Sequence, residues 1–154
     1  MLTDDEKRAI GEELKKTAQK QGACVDALKI VQRHRGWVSD EAVKDISEFL
    51  GMTPDELDSV ATFYSLIYRK PVGKHVILIC DSVSCWIMGY EKILDHLKTK
   101  LGIGLGETSA DGRFTLLPVA CIGACDKAPA VIIDNEIFSN LDEGKIDDIL
   151  SKMY

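Results

Sequence analysis

Four of the five cysteines fall into two short clusters, and no other feature of the chain restricts its fold as strongly. Cys80 and Cys85 lie in ILICDSVSCWIMGY with four residues between them. Cys121 and Cys125 lie in FTLLPVACIGACDKAP with three. Thiols grouped in this way are what a metal centre needs, because each loop fixes two thiolates and the fold closes the four around one site. The remainder of the sequence is therefore read for what builds, positions or serves those two loops.

Composition bears first on whether the thiols are crosslinks. A chain of 154 residues, 45% hydrophobic and 29% charged, has enough apolar material for a core and no sign of disorder. It does not need disulfides to fold. Its N-terminus, MLTDDEKRAIGEELKK, is polar and acidic, unlike a secretory leader, and no stretch approaches the roughly 20 apolar residues that span a bilayer. A cytoplasmic protein without direct membrane insertion is expected. In that reducing setting, clustered cysteines are metal ligands or redox thiols more often than disulfides. The net charge of -6 argues against a nucleic-acid or anionic-membrane surface as partner.

The first part of the chain reads as helices. Residues 4–20 place Ile10, Leu14 and Ala18 on one face, and residues 24–35 carry Leu28 and Val31 and end in Arg33, His34 and Arg35 before Gly36. Ser39 is an N-cap for a third helix with Val43, Ile46 and Leu50 on its apolar face, closed by Gly51. Thr53, Pro54 and Glu56 form a capping-box signature that opens a fourth helix. Four short amphipathic helices predict a small bundle over residues 1–70, serving packing or partner contact.

After a turn at Lys70–Lys74 the pattern changes, so residues 71–154 are expected to form a second domain. His75 to Cys80 is a continuous β-branched apolar run, the signature of a strand covered on both faces. Trp86, Tyr90, Ile93 and Leu97 recur at helical spacing and read first as core. Residues 103–113 read as a loop, and Phe114 opens a second strand. Asp134 and Asn135 tolerate positive φ and join residues 130–133 to 136–138 in a hairpin, followed by a helix over 141–151. The fold class is α/β (α+β): a helical bundle, then a thioredoxin-like sandwich with a mixed four-stranded sheet.

Three chemistries compete for the four thiols. Zinc sites favour Cys-x2-Cys knuckles, which are absent, as is the Cys-x2-Cys dithiol of thioredoxins. A binuclear iron-sulfur cluster takes four thiolates and accepts wider spacings. Cys85, at the start of a helix, is expected to be favoured as thiolate by the helix dipole. Gly123 lets its loop bend and turn amides toward sulfur, and Ser82, Ser84, Ile122, Gly123 and Ala124 are candidates for tuning a cluster through hydrogen bonds. Cys24 reads as a small buried apolar residue, and His34, His75 and His96 as structural or surface groups.

The run from Asp111 to Thr115, followed after five residues by Cys121, Ile122, Gly123, Ala124, Cys125, Asp126, Lys127, Ala128 and Pro129, resembles the signature of the E-type subunits of NADH-quinone oxidoreductase, the 24-kilodalton type of complex I. The resemblance extends to Gly36, Trp37 and Val38, to residues 60–64 and 70–73, and to Cys80, Cys85 and Trp86. It implies a thioredoxin-like ferredoxin domain with one 2Fe-2S cluster on Cys80, Cys85, Cys121 and Cys125. It also implies an electron-transfer role beside an F-type flavoprotein subunit that holds FMN and NADH, and contact with the large iron-sulfur subunit of the G type. The assembled complex would hold the chain on the cytoplasmic face of the inner membrane. Similar subunits serve NAD-reducing hydrogenases and NAD-dependent formate dehydrogenases. A zinc-stabilised interaction module is the alternative of another class.

Overall fold

Local sequence signals account for most helix boundaries in the computed structural model, which describes residues 1–154. Helix α1 (Asp4–Leu14) opens on a capping box in which the Thr3 side chain accepts from the Glu6 amide and the Glu6 carboxylate accepts from the Thr3 amide. It stops at Leu14, short of the expected end at residue 20, and a short 3-10 turn follows at Lys20–Ala23. Helix α2 (Cys24–Arg35) ends at Gly36 with its basic residues in the last turn, at the negative end of the dipole. Helix α3 (Asp40–Leu50) is capped by the Ser39 side chain and ends at Gly51 in the left-handed region. Helix α4 (Pro54–Phe63) carries the expected capping box of Thr53 and Glu56.

These helices belong to a compact unit, Met1–Pro71, with its own core. Ile10, Leu28, Ile46, Leu50 and Leu57 are fully buried there, one stripe from each helix. Burying a side chain of this size is worth roughly 2 kcal/mol. The segment after α4 is bound into the unit by polar contacts. The Gln32 amide donates to the Leu66 carbonyl and accepts from the Tyr68 amide at 2.9 and 2.6 Å, and the Val38 amide donates to the Tyr68 carbonyl. Arg69 pairs with Asp58 and Asp40 and donates to the Val38 carbonyl. The one buried acid, Glu6, meets Arg35 in a two-point ion pair at 2.7 Å. Donation from Arg35 holds the Glu6 carboxyl well below the usual range, at about 2.

The second unit, Val72–Tyr154, is built on a mixed sheet. Strands β1 (His75–Cys80), β2 (Glu107–Thr108), β3 (Phe114–Val119), β4 (Val131–Ile133) and β5 (Glu136–Phe138) lie in the order β2-β3-β1-β4-β5. The fifth strand, β2, falls inside the segment expected to be a loop; two residues are too few for any periodicity, and only pairing with Thr115 and Leu116 reveals them. β1 and β3 are parallel, and the crossover between them carries α5 (Val83–Ile87) and α6 (Tyr90–Leu101). β4 and β5 form the expected hairpin, with Asp134 and Asn135 at φ 49° and 75°.

Ile77, Ile79, Phe114, Leu116, Val131 and Ile133 alternate along three strands and pack as one core with Ile93 and Leu97 of α6 and Ile146 and Leu150 of α7 (Glu143–Ser151). Gly73 fits where β1 and β3 begin. A Cβ there would stand 2.9 Å from backbone atoms of Arg113 and Phe114, while its amide donates to the Thr115 hydroxyl at 2.6 Å. His75 pairs with Asp134 and His96 with Asp147, so both histidines are structural.

Candidate metal centre

Sheet register brings the two cysteine loops to one end of the sheet. Cys80 is the last residue of β1 and stands opposite Val119, the last residue of its parallel neighbour β3. The chain leaving β3 therefore reaches Cys121 beside the point where β1 delivers Cys80. Across the other edge of β1, Ile79 pairs with Val131, so Ala130 enters β4 next to Cys80 and its carbonyl accepts from the Cys80 amide at 3.2 Å. Cys85 follows on α5, with Ser82 before it at the N-cap position. The carboxyl ends of parallel strands are where α/β sheets place their sites.

The four thiols are all free and form two unequal pairs. Cys80 and Cys85 are each 2% exposed, packed with Ala128 and Ala130 and against Tyr90, Ile122 and Ala124, and their side chains hydrogen-bond each other. Cys121 and Cys125 are exposed, with their sulfurs 3.3 Å apart. Charge on Cys125 is felt at Cys85, and charge on Cys80 at Cys125, so the pairs adjoin.

Sulfur electrostatics follow from these surroundings. Burial, then the neighbouring Cys80, pushes the Cys85 thiol up to about 11. The expectation that Cys85 would be favoured as thiolate is thus corrected: burial and the neighbouring Cys80 raise it, and α5, with only five residues, has a small dipole. The Gly123 amide, 3.4 Å from the Cys121 sulfur, is the main influence lowering the Cys121 thiol, with Cys125 and the Ser82 hydroxyl adding to it. Gly123 has φ 82°, the conformation that turns its amide toward the sulfur. Cys125 is raised by Cys121, opposed by a hydrogen bond from Ser84.

Of the five residues expected to tune a cluster, Ser82, Ser84 and Gly123 thus contact sulfur, each on the exposed pair. Ile122 and Ala124 pack against the buried pair instead. The Ala130 amide, which donates to Cys85, is not among the five. No local pattern marks Ala130, and only the β1–β4 register would have pointed to it. Cys24 is half-buried at the edge of the N-terminal core, away from the other thiols in sequence and partners. Trp86, expected as core, is 58% exposed, since Gly89 at φ 110° separates α5 from α6 and breaks the continuous stripe. Val83, Ile87 and Met88 are exposed beside it.

Two adjoining pairs of thiols match in number and kind the four thiolates that a binuclear cluster requires. Amides and hydroxyls aimed at sulfur add the polar shell that such a centre uses. The residues present therefore fit a 2Fe-2S group.

The sequence matches the thioredoxin-like 2Fe-2S ferredoxin family over residues 10–154. It is 50% identical over 136 residues to the E subunit of the NADH-quinone oxidoreductase of Pseudomonas aeruginosa, covering 88% of this chain and 82% of that one. Against the protein of the same name from Escherichia coli it is 46% identical over 151 residues, covering 98% of this chain and 91% of the relative. Among solved structures, it is similar to a chain of the air-oxidised NAD+-reducing NiFe hydrogenase, with a TM-score of 0.74 and 26% identity. That match covers 89% of this chain and 24% of the hydrogenase chain, so this chain corresponds to about a quarter of that one. No helix of the chain is long and apolar enough to cross a membrane. The chain belongs to the thioredoxin-like 2Fe-2S ferredoxin family, and its cofactor is a 2Fe-2S cluster.

Proposed function

We propose that this chain is the electron-transferring E-type subunit of an NADH-quinone oxidoreductase and that Cys80, Cys85, Cys121 and Cys125 hold its one cluster. The observation that carries the ligand assignment is the convergence of both cysteine loops at one end of the sheet. When bound, the cluster supplies one-electron storage, its formal charge passing from about minus 2 to about minus 3 with four thiolates. The protein's part is to make that extra charge tolerable. The Gly123 and Ala130 amides and the Ser82 and Ser84 hydroxyls point positive ends at sulfur. Ile122, Ala124 and Ala128 exclude water from the Cys80 and Cys85 side. Ile122 and Ala124 would tune the potential through that exclusion.

The partner we assign is a flavoprotein subunit of the F type carrying FMN and NADH, with a large iron-sulfur subunit of the G type in the same assembly. Identity near half over most of the chain to two E-type relatives supports this assignment. The exposed Cys121 and Cys125 edge is where an electron enters or leaves, and the apolar turn of Val83, Trp86, Ile87 and Met88 beside Cys85 is the surface the partner covers. The complex holds the chain at the cytoplasmic face of the inner membrane. The similarity to a hydrogenase chain favours, as second reading, the corresponding subunit of an NAD-reducing hydrogenase. Purification from its own cells through a tag on this chain separates the two. A flavin-bearing subunit and quinone-reductase subunits are expected to co-elute; co-elution of a nickel-containing hydrogenase subunit would overturn the first reading.

A further inference from the structure

We propose that Cys121 and Cys125 are a redox modification site in the chain before its cluster is inserted: low-molecular-weight disulfides oxidise this pair, and only this pair, to an intrachain disulfide that blocks cluster loading until a thiol reductant reopens it. The inference rests on the ligand assignment above. Both residues are exposed, so a small oxidant reaches either sulfur. Their sulfurs are 3.3 Å apart, and a disulfide at about 2.05 Å needs only a small closure of the loop between them. That loop centres on Gly123, the residue type with the widest choice of backbone angles, here at φ 82°. Cys80 and Cys85 also contact each other, but at 2% exposure neither sulfur is open to attack. Cys24 has no thiol neighbour among the contacts of its helix core. The chain thus carries one accessible dithiol and three protected or solitary thiols.

The chemistry balances with the oxidant as sole co-reactant. One thiolate of the pair attacks the small disulfide, forming a mixed disulfide and releasing one small thiolate. The second thiolate attacks the protein sulfur of that intermediate, closing the intrachain bond and releasing the other small thiol. The two cysteines lose two electrons and two protons in all, and the small disulfide becomes two thiols. With both sulfurs bonded to each other, two of the four cluster ligands are withdrawn together. In a compartment whose thiol pool is normally reducing, such a bond forms transiently and reports oxidation.

The test treats the full chain, stripped of metal by chelation under argon, with oxidised glutathione, then counts thiols after denaturation and maps the peptides by mass. The expected result is three alkylatable thiols of the five, with Cys121 joined to Cys125, no retained glutathione, and no uptake of iron and sulfide until dithiothreitol is added. In Cys125→Ser, glutathione should stay attached to Cys121 as one stable adduct per chain. Five remaining thiols, glutathione retained on the wild-type pair, or a bond between Cys80 and Cys85 would each overturn the proposal. The loaded chain is a separate arm: oxidation of Cys121 and Cys125 with the cluster absorption undiminished would refute the ligand assignment while leaving the disulfide standing.

Discussion

Cys80 and Cys85 are sealed into the protein, whereas Cys121 and Cys125 lie open on its surface, although the two pairs adjoin. Secondary structure sets the contrast. The first pair ends a central strand and begins a helix, so sheet packing buries it. The second pair sits in a loop between β3 and β4 and is held by backbone turns rather than by packing. Under the proposed ligand assignment, the buried pair would give a dry anchor and the exposed pair polar tuning and a route for electrons. Neither pair would do for both purposes, since burial raises the cost of thiolate charge and exposure forfeits rigidity.

The largest effect that would break the contrast is loss of the cluster. Replacing Cys85 or Cys121 by Ser should abolish or severely weaken the visible absorption of the purified chain, while Cys24→Ser leaves it unchanged. An equal loss in all three would show that the absorption reports folding, not ligation. The next effect lies in the N-terminal unit, where no thiol pair is present and a buried ion pair takes the structural role. Glu6→Ala removes the two-point partner of Arg35, leaving the guanidinium only Asp45 at 3.9 Å and the Met1 carbonyl, and removes the acceptor of the Thr3 amide, so it should cost about 3 kcal/mol in denaturant unfolding. A loss under about 0.5 kcal/mol, the size of an ordinary surface substitution, would show that the pair is dispensable.

Glu6 also predicts a pH dependence. Its folded value of about 2 lies below the ordinary 4.5, so its stabilisation is complete above the ordinary value and is lost as pH falls through that interval. Urea unfolding from about pH 6 down to about pH 2 should show this acid loss in the wild type and a reduced one in Glu6→Gln. Identical slopes would contradict the assignment.

Smaller effects sharpen the exposed side. Gly123→Ala forces a side chain into the left-handed region and should destabilise the loop by about 1 kcal/mol, read as faster loss of the cluster to a chelator. Ser82→Ala and Ser84→Ala each remove one hydroxyl from sulfur. A hydrogen bond that favours the reduced state by about 1 kcal/mol corresponds to about 40 mV for one electron, so each variant should titrate lower by that order. An unchanged potential in both would leave tuning to the amides.

Much of this architecture is legible because its determinants are local. Ser39, the Thr53 and Glu56 box and Gly51 mark helix ends within a few residues, and Asp134 with Asn135 marks the hairpin. The matching box of Thr3 and Glu6 is an equally local signal for the start of α1. What stays hidden depends on contacts distant along the chain. The two residues of β2 are defined only by pairing with β3, and the approach of Ala130 to Cys85 only by the register of β4 on β1. Trp86 and Tyr90 share a helical spacing, but Gly89 interrupts the helix and turns Trp86 outward, a break the apolar pattern does not show. For the site, the spacing and types of residues point to four thiols around one centre; their division into a buried and an exposed pair is a product of tertiary packing.

The most direct measurement of the central claim is metal and sulfide analysis of the anaerobically purified chain together with its visible spectrum. A coloured protein with about two irons and two acid-labile sulfides per chain is the predicted result. A colourless protein carrying one zinc per chain would contradict it.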